Sequence, residues 1–452
     1  MTSQQKPRSA IVLLVAASLF AGGCEVRRVE LLALQPSISE ERFTPPDDPL
    51  FRLGQLLFFD RELSGNRNIA CATCHFPFAT TVENLPLSLG QGASGLGPTR
   101  SRGEGAVLPR NSMALFAEAD APALFWDGRV ERRPDGSISA PVALPEGIRT
   151  TDEALVLLPL FDRSEMRGDA GDVDVFGERN ELAQIDDSRV FAEALLRRVL
   201  RFEEYEFLLD LSFPGEAPTF AHLARAMVHF RQELWSHPES DWDLREETPV
   251  SRAAEAGAAL FFGDAGCVRC HDGPDFGGTG FFNIGVPQLG PGFAPMMSDG
   301  TTDLRPGLDE GRFNTTGRPE DRFAFRVPPL RNVRMTGPWM HNGAYATLEE
   351  ALRHHLDPQG ALEAYDGAGL PASIAETVQN DPATRALILE TLSDEVQPLR
   401  PLTDADIALL LEFLAALDSE RERSSLPASG VPDFVPSGLE VDRWPGGPHP
   451  FR

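Results

Sequence analysis

Two copies of one short pattern constrain this chain more than any other feature of its sequence. Cys-x-x-Cys-His occurs at residues 71–75 and again at residues 267–271. Two thiols three positions apart can reach the two vinyl groups on one edge of a porphyrin, and the adjacent histidine then lies under the iron. The pattern predicts two covalently bound haem c groups, held by Cys71, Cys74 and His75 and by Cys267, Cys270 and His271.

Paired cysteines also occur in zinc sites and in redox dithiols. A zinc ribbon places its two cysteine pairs a few tens of residues apart, whereas nearly two hundred residues separate the pairs here. A thioredoxin-type dithiol belongs to a β-α-β unit, and no such alternation surrounds either pair. Haem attachment is therefore the best interpretation of both motifs.

The composition limits the class of protein. The chain has 452 residues, enough for two or three domains, and a hydrophobic content of 42% is sufficient for packed cores. A formal net charge of −27 repels the phosphates of nucleic acids, so we expect no nucleic-acid partner. Four of the five cysteines belong to the two motifs, which excludes a disulfide framework.

The N-terminus has the layout of an export signal. Lys6 and Arg8 precede an apolar run over residues 10–22 that is too short to span a bilayer, and Cys24 follows small residues. We predict a signal peptide over residues 1–23 and a tether over residues 24–48 with a lipid on Cys24. The product would be a periplasmic lipoprotein attached to the membrane by lipid alone. The alternative is ordinary signal cleavage that leaves Cys24 as a spare thiol.

Helical apolar spacing recurs along the chain, and strand patterns are few. Residues 87–110 are rich in Gly and Ser and predict a long loop. Ser251 is a good N-cap for one of the predicted helices. We therefore expect a mainly α fold with long loops, with helical segments at residues 53–59, 189–210, 219–235, 253–262, 347–356 and 402–418.

The two halves of the chain share one plan. Leu-Leu-Phe-Phe at residues 56–59 precedes the first motif, and Ala-Leu-Phe-Phe at residues 259–262 precedes the second. This predicts an internal duplication of a cytochrome c-like domain. The expected domains cover residues 49–247 and 248–423, and a Pro- and Gly-rich tail covers residues 424–452.

Longer stretches around both motifs carry a family resemblance. They are Leu-Gly-Gln-Leu-Leu-Phe-Phe-Asp at 53–60, Pro-Arg-Asn-Ser at 109–112, Leu-Phe-Trp-Asp-Gly-Arg at 124–129, Ala-Ala-Leu-Phe-Phe at 258–262, Phe-Asn-Ile-Gly-Val-Pro at 282–287, Val-Pro-Pro-Leu-Arg-Asn-Val at 327–333 and Met-His-Asn-Gly at 340–343. From about residue 48 to residue 418 the chain resembles the bacterial diheme cytochrome c peroxidases and the related MauG-type diheme enzymes. The resemblance implies peroxide chemistry at the N-terminal haem and electron storage at the C-terminal haem.

The resemblance also implies residues around the N-terminal iron. The peroxidases carry a displaceable distal histidine sixteen residues after the proximal one, and this chain has Gln91 there. An amide is a poor iron ligand, so this iron should be five-coordinate or hold water. Glu165 matches the catalytic glutamate that moves the peroxide proton, and Pro159 matches the distal proline. Leu155 stands where the family often has glutamine, which removes one polar distal group.

Two further positions concern the space between the haems. Trp126, fifteen residues after Asn111, matches a family tryptophan that shortens the gaps for electron transfer. Asn111 resembles the side-chain ligand of a calcium ion between the domains, with the carbonyl groups of Thr336 and Pro338 as further ligands. The resemblance thus implies one Ca²⁺ besides the two haems.

The sixth ligand of the C-terminal iron lies, in the family, fourteen residues after the histidine of Met-His-Asn-Gly. It is Met in the peroxidases and Tyr in MauG-type members, whereas this chain has His355, which would lower the reduction potential. His354 is its neighbour on a helix and points about 100° away, so only one of the two can face the iron. The rival ligands are Met296, Met297, Met335 and Met340.

These expectations combine into an exported diheme peroxidase that reduces hydrogen peroxide with electrons from a small c-type cytochrome or cupredoxin. The open N-terminal site and the missing Met ligand keep a MauG-like oxidase, which modifies side chains of a partner protein, as the alternative. A diheme electron carrier without catalysis is a third hypothesis, and a homodimer is left open. His222, His229 and His237 are expected to be structural, and the acidic residues 169–174 form either a solvated loop or a docking patch.

Overall fold

The computed structural model describes residues 47–116, 121–236, 239–294, 296–301, 307–396, 398–419 and 430–443. The predicted signal peptide, Cys24, nearly all of the predicted tether and His237 lie outside the described residues. Among the residues described, no helix combines the length and the apolar character that crossing a bilayer requires.

The first half of the described chain is mainly helical. Asp48 caps the first helix, because its carboxylate accepts a hydrogen bond from the backbone N–H of Leu50. The predicted helical stretch 189–210 is interrupted at residues 200–202 and forms two helices. The α-helices of this half are α1 (Pro49–Phe59), α2 (Cys71–Cys74), α3 (Thr151–Phe161), α4 (Ser188–Val199), α5 (Glu203–Ser212) and α6 (Phe220–Trp235).

The second half repeats the helical character. The Oγ of Ser251 accepts a hydrogen bond from the N–H of Ala254 at 3.0 Å, so the predicted N-cap is confirmed. Thr347 and Thr403 cap two later helices in the same way. The α-helices of this half are α7 (Arg252–Phe262), α8 (Phe313–Thr316), α9 (Leu348–Leu356), α10 (Pro358–Ala364), α11 (Ala372–Ala375), α12 (Pro382–Leu389) and α13 (Asp404–Ala416).

The strands of the described residues are short and antiparallel. β1 (Ala123–Leu124), β2 (Val130–Arg132) and β3 (Ile138–Ser139) form one small sheet, in which Leu124 pairs with Val130. β4 (Phe281–Phe282) pairs with β5 (Phe325–Arg326). The fold is therefore mainly α with few strands, as predicted, and the 87–110 segment contains no α-helix.

One glycine in each half lets two helices cross closely. A Cβ on Gly54 in α1 would lie 1.9 Å from the carbonyl oxygen of Ala226 in α6. A Cβ on Gly257 in α7 would lie 1.9 Å from the carbonyl oxygen of Leu409 in α13. Both distances are far below any real contact, so neither helix pair can keep its separation with a side chain at these positions.

Replacing Gly54 or Gly257 with alanine should therefore lower the free energy of unfolding by about 1–3 kcal/mol, the usual cost of overpacking. Denaturant unfolding of the variants measures the change. Ala259→Gly is a matched control, because Ala259 is exposed on α7 and the reverse substitution costs about 0.5–1 kcal/mol through backbone entropy alone. Alanine variants no less stable than this control would contradict the close crossing.

The described part of the predicted tail returns to the first half of the chain. Val431, Val435 and Val441 pack against the same hydrophobic core as α1 and α6. Val435 is only 2% exposed and Asp442 only 1% exposed. Residues 430–443 therefore lie against the fold at several buried positions, with exposed residues between them.

Candidate functional site

The first motif opens into a cavity of about 220 Å³, lined by Cys71, Cys74 and His75. The Nδ1 of His75 lies 3.2 Å from the carbonyl oxygen of Thr81, so an N–H there donates to that oxygen and leaves Nε2 free for a metal. Burial lowers the pKa of His75, which keeps the imidazole neutral, as a metal ligand must be.

The surroundings of the cysteines of the two motifs disfavour the thiolate form. Burial raises the pKa of Cys71 and of Cys74 to about 12, and that of Cys267 to about 11. The two pairs line separate cavities, and within the described residues no cluster of three His, Cys, Asp or Glu side chains could hold a metal ion. A shared zinc site and a reactive dithiol are both disfavoured.

The first cavity is also lined by the residue that the resemblance implies for acid–base chemistry. Glu165 and Pro159 both line it, and so does Leu155. Glu165 lies in a single π-helical turn, Arg163–Arg167, which begins where Asp162 accepts hydrogen bonds from the backbone N–H groups of the turn.

The carboxyl group of Glu165 is tuned for proton transfer. Burial, reinforced by the nearby charge of Asp162, raises its pKa to about 8, against the opposing charges of Arg129 and Arg110. A carboxyl group with this pKa can both take and return a proton near neutral pH.

Gln91 lies outside the set of residues that line the first cavity. Its Nε2 donates a 2.6 Å hydrogen bond to the carbonyl oxygen of Met166, and its Oε1 accepts one from Asn66 at 3.4 Å. The side chain is therefore engaged with the turn that carries Glu165. No second histidine of the described residues lines this cavity.

The second motif opens into a cavity of about 260 Å³ that is lined by three histidines, His271, His341 and His355. His271 lies at the motif, and its ring centre is 6.5 Å from that of His355 in α9. An iron about 2 Å from a nitrogen of each ring, the usual metal–imidazole distance, would separate the ring centres by about 6 Å. The Nδ1 atoms lie near the carbonyl oxygens of Phe276 (3.1 Å) and Ala351 (2.8 Å), which leaves both Nε2 atoms free. The pair therefore fits a haem iron.

The rival ligands lie in different surroundings. His354 does not line the cavity, and both of its nitrogens are used, one by the hydroxyl of Tyr345 at 2.8 Å and the other by the carbonyl oxygen of Ile284 at 2.6 Å. Met340 lines the second cavity, whereas Met296 lines the first. The remaining candidates, Met297 and Met335, line neither cavity.

Trp126 lines both cavities. Its indole N–H donates to the carbonyl oxygen of Asn111 at 3.2 Å, which holds the ring against the backbone that separates them. The segment of residues 111–114 also lines both spaces. Trp126 is thus the aromatic side chain common to the two sites.

The predicted calcium ligands only partly suit a cation. The Nδ2 of Asn111 donates to the carbonyl oxygens of Leu85 (2.9 Å), Pro86 (3.4 Å) and Pro338 (3.3 Å). Converging carbonyl oxygens suit Ca²⁺, but the carboxamide would have to turn by half a revolution to present its own oxygen. The hydroxyl of Thr336 donates to its neighbour Val333 at 3.2 Å.

Two arginines in the first cavity were missed by the sequence analysis. Arg110 is buried and pairs with Asp127 at 2.8 Å and with Asp309 at 2.7 Å. Arg129 stacks on Phe125 at 3.7 Å, and its Nε is buried without a hydrogen-bond partner among the described residues. Such groups suit the anionic propionates of a haem. The signal was present, since both arginines lie in stretches that carry the family resemblance.

The other histidines and the acidic loop make structural contacts. His222 stacks on Phe213 at 4.1 Å, and His229 lies 2.6 Å from Asp48. Asp174 is buried and accepts hydrogen bonds from backbone N–H groups of its own loop. This carboxylate is therefore not free to dock a partner.

Comparison with known proteins agrees with this arrangement. The family model of the di-haem cytochrome c peroxidases matches residues 48–248. A cytochrome-c peroxidase, IdrP1, of Denitromonas iodatirespirans is 29% identical over 75% of this chain and 81% of its own length. The methylamine utilization protein MauG of Methylorubrum extorquens is 28% identical over 71% of this chain and 72% of its own length.

A solved structure shares the fold. It is a MauG-like protein associated with microbial copper homeostasis, 23% identical, which superposes with a TM-score of 0.57 over 88% of this chain and 98% of its own length. The relatives include both peroxidases and MauG proteins, and the family carries two haem groups. The chain is therefore similar to the di-haem cytochrome c peroxidases and the MauG-type enzymes, and it is an oxidoreductase.

Proposed function

We propose that the protein is a peroxidase that reduces hydrogen peroxide to water at the N-terminal haem, with electrons delivered through the C-terminal haem. The observation that carries the proposal is the difference between the two cavities. His271 faces His355 with ring centres 6.5 Å apart, whereas the cavity of His75 faces Glu165 and Pro159. The His271 site suits an iron with a protein ligand on each face, and the His75 site suits a reactant beside a side chain that can transfer its proton.

The haems, when bound through Cys71 and Cys74 and through Cys267 and Cys270, supply iron that binds peroxide and carries electrons. The residues of the chain do the rest. The carboxylate of Glu165 would take a proton from one oxygen of the bound peroxide and return it to the other, which leaves as water. One peroxide, two electrons and two protons give two waters. Pro159 walls the pocket with an apolar ring.

The proposed electron path runs from the His271 site through Trp126 to the His75 site. Trp126 lines both cavities, so its ring shortens the through-space gap.

We also propose one Ca²⁺ at Asn111 and the carbonyl groups of Thr336 and Pro338, supported by the carbonyl oxygens that converge there. Metal analysis of the purified protein tests the calcium.

We propose that each half is a cytochrome c-like domain derived by internal duplication, with the boundary near residue 248. Equivalent glycines support the duplication, because Gly54 and Gly257 each lie five residues before the final Phe of their helix and each permits a close helix crossing.

We further propose export and a lipid on Cys24, supported by the signal-like N-terminus. The mass of the mature N-terminal peptide tests the lipid.

The second candidate function is that of a MauG-like oxidase, for which the electron source is an amino-acid side chain of a partner protein. Two observations favour it. Gln91 lies outside the first cavity, and a histidine faces His271 where the peroxidases have Met. In the first candidate the partner is a small c-type cytochrome or cupredoxin. A third candidate is a diheme electron carrier without catalytic activity, and it requires that strong ligands occupy both faces of each iron.

Steady-state consumption of hydrogen peroxide distinguishes these functions. With a reduced c-type cytochrome as donor, a peroxidase should consume peroxide at least as fast as with an artificial dye donor. Rapid turnover with the dye and almost none with any cytochrome or cupredoxin would favour the oxidase. Failure to bind cyanide, together with the absence of a high-spin ferric EPR signal, would exclude both enzymes and leave the electron carrier.

A further inference from the structure

The first haem-attachment motif touches the tail of the chain. Thr73 lies between the two cysteines in α2, and its Oγ1 accepts a 2.9 Å hydrogen bond from the N–H of Ala70 at the start of the turn. The same hydroxyl donates to the carboxylate of Asp442. Thr73 is 5% exposed and Asp442 is 1% exposed, so the contact is shielded from water.

The carboxylate of Asp442 is held from a second side. Arg61, just after α1, approaches its other oxygen to 2.5 Å. Asp442 therefore bridges Arg61, which begins the short 3₁₀-helix Arg61–Leu63 after α1, and Thr73 inside the motif. Since Thr73 and Asp442 are 369 positions apart, only the folded tail can make this bridge.

The tail is anchored well enough to hold such a bridge in place. The Oγ of Ser437 donates to Asp60 at 2.6 Å, and the Nε2 of Gln55 donates to the carbonyl oxygen of Gly430 at 3.0 Å. Of the valines that pack into the core, Val431 and Val435 lie between these two contacts, and Val441 lies beyond Ser437. The tail thus meets the first half of the chain through both polar and apolar contacts.

The second motif has a different residue at the position of Thr73. Arg269 stands there, and its Nε donates to the carbonyl oxygen of Gly266 at 3.1 Å, inside its own turn. The turn there is a 3₁₀-helix, Cys267–Arg269, whereas the first motif forms a full α-helical turn. The two haem sites therefore differ in what holds the attachment turn.

We propose that Asp442 is a positioning residue for the N-terminal haem. Through Thr73 it sets the orientation of the α2 turn, and hence the direction in which His75 approaches the iron. Its ion-paired carboxylate beside the turn stabilises the oxidised iron and lowers the reduction potential of that haem alone. This inference rests on the proposed attachment of a haem at the first motif.

A redox titration of the full chain, followed by the separate spectra of the two haems, tests the proposal. Asp442→Asn should raise the reduction potential of the N-terminal haem and leave that of the C-terminal haem unchanged. Thr73→Val keeps the pair of Arg61 and Asp442 but removes the hydroxyl, and it should also shift the N-terminal haem alone. Thr73→Ser restores the hydroxyl and should restore the wild-type value.

Glu440→Gln is the matched control in the same tail. Its side chain is 83% exposed and lies 3.5 Å from Arg61, but it does not contact Thr73, so neither haem should shift. The proposal is overturned if Asp442→Asn and Thr73→Val leave both potentials unchanged, if they shift both haems alike, or if Glu440→Gln acts as strongly as they do. Purified protein without two haems per chain would instead defeat the proposed function.

Discussion

Replacing Glu165 with glutamine should lower the turnover of hydrogen peroxide by at least tenfold while both haems stay bound. Glutamine keeps the size of the side chain and its place in the turn Arg163–Arg167, but it cannot take a proton. General acid–base catalysis by one side chain contributes about 10²–10⁴ in rate, so the loss should lie in or near this range. Stopped-flow or steady-state assays with a fixed donor measure it.

The pH dependence supplies an independent check on Glu165. Burial and Asp162 raise its pKa to about 8, so most of the carboxyl group is protonated at pH 7. The base that accepts the peroxide proton is the ionised form. The value of kcat/KM for peroxide should therefore rise about tenfold per pH unit below pH 8 and level off above it. The glutamine variant should lose this rise.

Glu178→Gln is the control for this experiment, because Glu178 is exposed and does not line the cavity. It should keep both the turnover and the pH profile of the wild type. Unchanged turnover in the Glu165 variant would remove Glu165 from the mechanism. So would a wild-type kcat/KM that stays constant between pH 6 and pH 9, since a carboxyl group with an ordinary pKa is already ionised over that range.

Replacing His355 with methionine should raise the reduction potential of the C-terminal haem by an amount on the order of a few tenths of a volt. Two imidazoles stabilise the ferric state more than one imidazole and a thioether do, and axial ligands move haem potentials over about 0.8 V. The variant should also gain the near-infrared Met-to-iron charge-transfer band. The wild-type protein should lack that band.

The neighbouring histidine provides the control for His355. His354→Asn removes a ring whose two nitrogens already bond Tyr345 and Ile284, so the ligand spectrum of the haem should not change. The assignment of His355 is wrong if His354→Asn changes that spectrum and His355→Met does not. A Met band in the wild-type protein would point instead to Met340, which lines the same cavity.

Local patterns in the sequence were sufficient to predict much of this protein. The spacing inside Cys-x-x-Cys-His, the apolar periodicity of the helices and the N-cap at Ser251 all involve residues within a few positions of one another. The chemistry they specify follows from the residue types alone, because a turn of helix brings them together whatever the rest of the chain does. The family resemblance extended this to the Glu165 turn and to Trp126.

Other features of the two sites depended on contacts between distant parts of the chain. Periodicity left His354 and His355 equivalent, and only the family resemblance favoured His355. The structure adds what each ring meets: His355 lines the cavity of His271, whereas His354 bonds the hydroxyl of Tyr345. Met296, from the second half, lines the first cavity, although its sequence position suggested the second haem.

The sequence by itself determined where two haems can be attached and which segments are helical, since both depend on neighbours along the chain. The tertiary structure alone decided which side chains line each cavity, which arginines meet the first cavity, and that Asp442 reaches Thr73. Burial and long-range packing create these differences, and no local pattern records what a side chain will face once the chain is folded.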